Sequence, residues 1–349
     1  MQNNNYTGPQ KMEKVFQKRQ LIFLVIGIFA LIMFITFSDF KSVLGYISIA
    51  DKALYSLAFL SMILGVFAYG GSWIFLLKSA NIRLNTLKAM ESTWISAFLN
   101  IMVPTASVGG EVARILYVVK ETKDSYGNVA ATVFLHRVIS FLPFIVGSIL
   151  GFVYLALFYN LPTYLSSILI VISSALSLSL AILLLFSVKP NISIGIALRI
   201  TRFFDKIFLK RKGNTLKLTE LFTKAFTEFG DSLKVLKSSK VSLVLSALFA
   251  FTYWIFDIIV AYFVFASLKF PVPLGIIVAV YTIGISIQIV PIGIPGMVGV
   301  VETVMSGLYV VSGIPLSLSV AATVMIRLVM MWFEAFIGGV IFLLYSRRY

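Results

Sequence analysis

The sequence contains no cysteine and one histidine, His136. Disulfides and thiolate metal sites are therefore excluded, and a histidine-based metal centre lacks ligands. Charge is scarce as well. Asp, Glu, Lys and Arg together make up 12% of the 349 residues, where soluble domains carry roughly 25%. The acidic residues stand singly rather than in the clusters that metal-assisted chemistry on a lipid phosphate requires. No GxxxxGKS/T phosphate loop is present, which excludes a Walker-type ATPase site.

What replaces charge is apolar mass. Hydrophobic residues account for 59% of the chain, and the mean hydropathy is +0.99. Apolar runs cover 21–37, 52–78, 87–104, 128–159, 163–187, 241–268, 272–290, 297–311 and 316–344. Several reach the roughly 20 residues needed to cross a bilayer core. The chain is expected to be an all-α membrane protein, a polytopic helical bundle. The polar arm 1–20 precedes a run without a small-residue cleavage signature, so that run is expected to be a retained first helix. Residues 21–349 then form one transmembrane domain with no soluble domain appended.

The net charge of +15, from 29 Lys and Arg against 14 Asp and Glu, has a topological source. Basic residues collect in cytoplasmic loops, and nothing beyond charge points to nucleic acid. The stretch Lys189–Lys240 holds twelve Lys and Arg and four Asp and Glu, so 188–240 is expected to be a cytoplasmic connector. Ile200, Phe203, Phe204, Leu221, Phe222 and Phe229 would give it amphipathic helices on the inner surface. The N-terminal arm, the loop with Lys78, Arg83 and Lys88, and the end at Arg347 and Arg348 are basic too. All face the cytoplasm together if 87–121 enters and leaves from inside and 272–311 from outside. That predicts about six full spans plus two re-entrant hairpins, both termini cytoplasmic. A plain eight-span bundle is the alternative.

The two hairpins carry Pro/Gly breaks, VPTASVGGEVAR around Pro104 and VPIGIPGMVGVVE around Pro291. Irregular backbone at membrane depth survives only where protein or a water-filled cavity satisfies it. The halves also repeat. Trp73-Ile74-Phe75 recurs as Trp254-Ile255-Phe256, and Ala130-Ala131-Thr132-Val133 as Ala321-Ala322-Thr323-Val324. Glu111 precedes Arg137 by 26 residues, and Glu302 precedes Arg327 by 25. Under the predicted topology this is an inverted repeat, the arrangement that points to a midplane transport site.

Charges inside apolar runs must be paired, face a cavity or lie near the surface. Arg137 and Arg327 are the candidate ligand-facing cations, because guanidinium binds phosphate bidentately and stays ionised when partly desolvated. Gly109 and Gly110 allow close backbone approach, and a helix starting at Glu111 would offer free N–H groups to an anion. Glu111 and Glu302 would hold the arginines or line a polar path. The competing reading makes Glu111–Arg137 and Glu302–Arg327 structural ion pairs. Asp257 is either a bundle contact or a cavity wall, and Arg114 is expected near the cytoplasmic edge, binding headgroups. Glu334, seven residues after Arg327, is expected to pair with it on one helix face. Trp73, Trp254 and His136 are expected to be packing residues and a polar contact.

The segments Pro104…Gly109-Gly110-Glu111-Val112-Ala113-Arg114 and Pro295-Gly296…Gly299-Val300-Val301-Glu302, with the Arg137 helix, resemble the flippase-like family named for the transmembrane region of lysylphosphatidylglycerol synthases. The resemblance runs over roughly 15–345. The second motif departs in carrying Met297 where the family often has a smaller or different residue. The resemblance implies translocation or binding of an anionic phospholipid or lipid-linked precursor in the plasma membrane, without the soluble aminoacyl-transferase domain and its activity. The expected partners are membrane lipids and a lipid-synthesis enzyme; no cofactor or enzymatic activity is expected. A non-transporting scaffold and a membrane-embedded lipid-phosphate enzyme are the alternatives.

Overall fold

The computed structural model describes residues 40–103, 108–159, 162–188, 227–236, 238–289 and 294–348. The polar arm, the run at 21–37, the tips 104–107 and 290–293, and connector residues 189–226 lie outside these. Every regular element among the described residues is helical. A short α1 (Phe40–Ser48) leads to α2 (Lys52–Ser79), α3 (Thr86–Met102), α4 (Val108–Thr122), α5 (Tyr126–Phe158) and α6 (Thr163–Val188). The second half contains α7 (Lys240–Ser267), α8 (Leu274–Ser286), α9 (Val300–Val311), α10 (Leu316–Arg327) and α11 (Glu334–Ser346). A π turn, Leu328–Phe333, fuses the last two into one 31-residue rod.

Four helices among the described residues are long and apolar enough to cross a membrane: α2, α5, α7 and the α10–α11 rod. Their outward faces are apolar as well, carrying Leu60, Phe67, Leu150, Leu157, Leu248, Ile255, Phe336 and Leu343. A helix that is apolar all round and exposes large aliphatic side chains suits a lipid solvent and no aqueous one.

The most extensive helix contact joins α2 to α7. The Asp51 N–H donates to the Ser267 carbonyl at 2.8 Å, and Ser72 Oγ meets Ser246 Oγ at 2.9 Å. The ends thus pair crosswise, and the helices run antiparallel. Gly65 and Gly71 let the Phe256 and Phe249 side chains approach the backbone, the small-residue packing typical of helices in lipid. Helices α2 and α7, which carry the repeated Trp-Ile-Phe triplet, thus run in opposite directions across this seam.

The remaining packing obeys the same exchange: α8 lies on α5, and α3 lies on α11. Each contact includes a glycine that the facing backbone approaches closely. A Cβ at Gly151 would come within 2.7 Å of Ala279 Cα, and one at Gly338 within 2.5 Å of the Trp94 carbonyl.

Arms α3 and α4 form an antiparallel hairpin. Lys88 bonds Glu121 at its open end, Tyr117 bonds Glu91 at 3.1 Å, and Gly110 meets Asn100 near its tip. Arms of 17 and 15 residues reach about 25 Å at 1.5 Å per residue, short of a roughly 30 Å hydrocarbon core. In the second half, α8 and α9 are shorter still, at 13 and 12 residues. The first hairpin opens beside the C-terminal end of α2 and the second beside the C-terminal end of α7, at opposite poles. The two hairpins approach each other through described residues, the site of a Gly296 Cβ lying 3.6 Å from Ile101.

Part of the connector is helical and docked. Within 227–236, Leu233 and Leu236 are fully buried and Phe229 packs edge-on against Phe134 at 5.6 Å.

Replacing either contact glycine with leucine should separate these helices. Overpacking of this kind costs about 1–3 kcal/mol. Gly151→Leu and Gly338→Leu are expected to lower the unfolding midpoint in detergent, read by thermal scanning. Gly307→Leu, which meets open space, should leave it unchanged.

Candidate functional site

The irregular turn in the second hairpin is built by its glycines. Gly296, Met297 and Gly299 all have positive φ, at 55°, 51° and 86°. Glycine takes this region freely, whereas a buried methionine is there at a cost. The turn is held by Glu302. One carboxylate oxygen accepts the Gly299 N–H at 2.7 Å, and the other accepts Arg327 Nε at 2.7 Å. Arg327 also donates to the Gly296 carbonyl and touches the Met331 sulfur. Both charged side chains are under 5% exposed. The bonds of this guanidinium go to Glu302, to the Gly296 carbonyl of the broken turn and to Met331, and Arg327 is not among the residues that line the cavity described below.

The equivalent glutamate of the first hairpin has looser ties. Glu111 receives Arg137 Nη1 at 3.2 Å on one oxygen and Arg114 Nη1 at 3.4 Å on the other. Arg114, expected at the membrane edge, is instead buried. Its guanidinium lies 4.3 Å from the centre of the Trp73 ring and 5.5 Å from that of Tyr69, and it donates to His136 Nδ1 at 3.1 Å. His136 Nε2 approaches the Tyr69 carbonyl at 3.1 Å, so the ring proton sits on Nε2 and Nδ1 is the acceptor. The aromatic box explains how a cation this deep is tolerated with two of its nitrogens unbonded. It also gives Trp73 and His136 a shared purpose that neither shows alone.

The anion-receiving helix start predicted at Glu111 is not formed. Helix α4 begins at Val108, and the Gly110 N–H is taken by Asn100 Oδ1 at 2.8 Å. A Cβ at Gly110 would sit 2.1 Å from the Ser96 carbonyl. The glycine serves the close approach of α3 and α4. Gly109, beside it, is half-buried on the same first turn.

Arg137 differs from its repeat partner. It is 26% exposed as a side chain, lies over the Phe141 ring at 4.4 Å, and reaches a cavity of about 180 Å³. Both halves supply the walls: Tyr69 of α2, Ser96 and Asn100 of α3, Arg137 and Ser140 of α5, Tyr253 of α7, Ser286 at the end of α8 and Gln288 just after it, and Glu334 of α11. Phe144 and Ile285 are among the apolar residues that line it. With Glu111 shared between two arginines, this wall carries an excess positive charge, directed at a mixed polar and aromatic space.

Glu334 was expected to pair with Arg327, yet it forms no ion pair among the described residues and lines the cavity instead. The π turn is the cause. It inserts one residue between them, which swings everything downstream by roughly 100°, the angle of one helical residue. In α5, which has no such turn, Arg137 and Phe144 are also seven residues apart and both face the cavity. Asp257 is buried near Glu334 and is not itself a lining residue. Asn100, Gln288 and Tyr253 were not singled out from sequence. The signal available was an amide a few residues ahead of Pro104 and another ahead of Pro291.

Residues 21–338 match the family described as the lysylphosphatidylglycerol synthase transmembrane region. A UPF0104 membrane protein of Pyrococcus horikoshii is 28% identical over 330 residues, 93% of this chain and 97% of the relative. UPF0104 membrane proteins of Methanocaldococcus jannaschii and Methanothermobacter thermautotrophicus are 23% and 25% identical, covering 97% and 76% of this chain and 98% and 78% of their own lengths. No solved structure matches. The chain belongs to the lysylphosphatidylglycerol synthase transmembrane-region family.

Breaking a buried ion pair from one side strands the other charge and costs about 3–5 kcal/mol. Arg327→Met and Glu302→Gln should each destabilise the protein by that order, and the double variant by clearly less than their sum. A double-mutant cycle on detergent unfolding midpoints measures this.

Proposed function

Starting from this family membership, we propose that the protein translocates an anionic phospholipid or lipid-linked precursor between leaflets, with the headgroup passing through the cavity at Arg137 while the tails remain in lipid. The observation that carries the proposal is a partly exposed guanidinium facing a polar cavity where two oppositely oriented, broken hairpins meet. Irregular helices of an inverted repeat that converge at mid-depth are the usual framework of a transport site. Arg137 supplies the phosphate contact, because its planar fork offers paired donors to two phosphate oxygens. Tyr69, Ser96, Asn100 and Gln288 give adaptable hydrogen bonds to the rest of a headgroup. Glu111 holds Arg137 in place and is the group a phosphate competes with.

Arg327, Glu302 and Gly296 serve as scaffold in this reading, fixing the second hairpin so that Gln288 and Glu334 are presented to the cavity. Arg114 acts through Glu111 as a positioning residue. The protein binds and moves its lipid without altering it covalently. Lys78, Arg83, Lys88, Lys240, Arg347 and Arg348 all belong to the pole where the first hairpin opens. The bias of basic residues toward the inner face supports a plasma-membrane protein with that pole, and both termini, in the cytoplasm. The family's name, taken from lysylphosphatidylglycerol synthases, makes a lipid-synthesis enzyme the natural partner on that side.

Reconstituted in liposomes, the protein should carry fluorescently tagged phosphatidylglycerol from the outer to the inner leaflet, measured by loss of accessibility to a membrane-impermeant quencher. Losing one charged hydrogen-bond donor is worth about 1.5–3 kcal/mol, so Arg137→Ala should slow transfer by about tenfold or more. Arg137→Lys should recover only part of the rate. An undiminished rate in a folded Arg137→Ala variant would overturn the assignment.

A further inference from the structure

Asp257 is the charged-type side chain that the cavity does not account for. It is 1% exposed, at the seam of α2 and α7, with one carboxyl oxygen 3.6 Å from the site of a Gly65 Cβ. Neither of its oxygens is paired with a cation among the described residues. An ionised carboxylate with no cation beside it is costly in such a place, a cost that a proton or a bound cation relieves. The groups facing it are the hydroxyls of Tyr253 on its own helix and Tyr281 on α8, and the carboxyl of Glu334 on α11. Tyr69 of α2 packs against Tyr253 at 5.1 Å between ring centres. The nearby cations are already engaged: Arg327 is bonded to Glu302 at 2.7 Å, and Arg137 to Glu111 at 3.2 Å. Among the described residues no group of three or more His, Cys, Asp or Glu is placed to hold a metal ion.

Glu334 and Tyr253 line the cavity, while Asp257 and Tyr281 lie behind them. A carboxyl in contact with the cavity and a second carboxyl behind it, with tyrosine hydroxyls around them, form a short route from cavity water into the bundle. We propose that Asp257 and Glu334 form a proton-binding pair that is loaded when an anionic headgroup occupies Arg137, which couples lipid movement to a proton gradient. The inference rests on the translocation reading above. Its logic is electrostatic: a phosphate beside Glu334 favours the neutral acid, and reciprocally a protonated pair favours the phosphate. Loading transfers one proton from cavity water to a carboxylate oxygen, and unloading returns it. Headgroup and proton travel together, so one lipid charge and one proton charge cancel.

Two measurements on the full-length protein test this. Infrared difference spectroscopy in nanodiscs should show a protonated-carboxyl band at neutral pH that Asp257→Asn removes. In liposomes containing tagged phosphatidylglycerol, a gradient of one pH unit should draw the lipid toward the alkaline leaflet, up to about a tenfold asymmetry for one proton per lipid. Asp257→Asn should still equilibrate the lipid while losing the response to the gradient. A wild-type protein without the band, or one driven equally well by a sodium gradient, overturns the proton pair. Lipid movement that ignores the pH gradient overturns the coupling. A protein that shows the band but moves no lipid overturns the translocation reading, and the coupling with it, leaving only the proton site.

Discussion

Each half of this protein hangs on a glutamate that reaches from the first turns of a hairpin arm to an arginine on the next long helix. The constraint behind it is the solvent. In hydrocarbon, a chain that leaves the helical path exposes peptide groups that nothing outside can satisfy. A carboxylate at the break answers this twice, by accepting backbone N–H groups and by neutralising a cation that in turn binds the loose carbonyls. Glu302 and Arg327 do this completely, closing on Gly299 and Gly296. Glu111 does it by halves, because Arg114 draws on the same carboxylate.

That inequality creates the cavity's character. Two copies of one architecture, packed antiparallel, would give a symmetric interior if their side chains matched. Here one arginine is sealed and the other is partly free. The position seven residues beyond each arginine reaches the cavity in both halves, but as Phe144 in one and Glu334 in the other. The polar space therefore has a cationic wall from the first half and an acidic one from the second, although the backbone that frames it is repeated.

Much of the framework was legible in the chain itself. The ordered series of Trp, Pro, Gly, Glu, Ala-Ala-Thr-Val and Arg marked the repeat, and the brevity of the apolar runs beside Pro104 and Pro291 marked the hairpins. These are patterns of spacing, and helices preserve spacing. Three features escaped for the opposite reason. The π turn after Arg327 has no spacing signature, and it turned Glu334 away from the face that a plain helix would give it. Burial of Arg114 depends on Trp73 and Tyr69, which are distant in sequence and hold it by ring geometry. Gly110 was taken for a ligand contact, when its missing side chain is needed by the Ser96 carbonyl.

The α2–α7 seam has the form of an interface between two subunits that share a backbone. Its contacts are crosswise, and each half brings its own hairpin and closes it with its own ion pair, the second wholly and the first in part. The basic connector between the halves keeps them at high local concentration and adds its own docking through Leu233 and Leu236. Severed there and expressed as two pieces, the protein would retain the surface by which each piece selects the other, as an antiparallel dimer does.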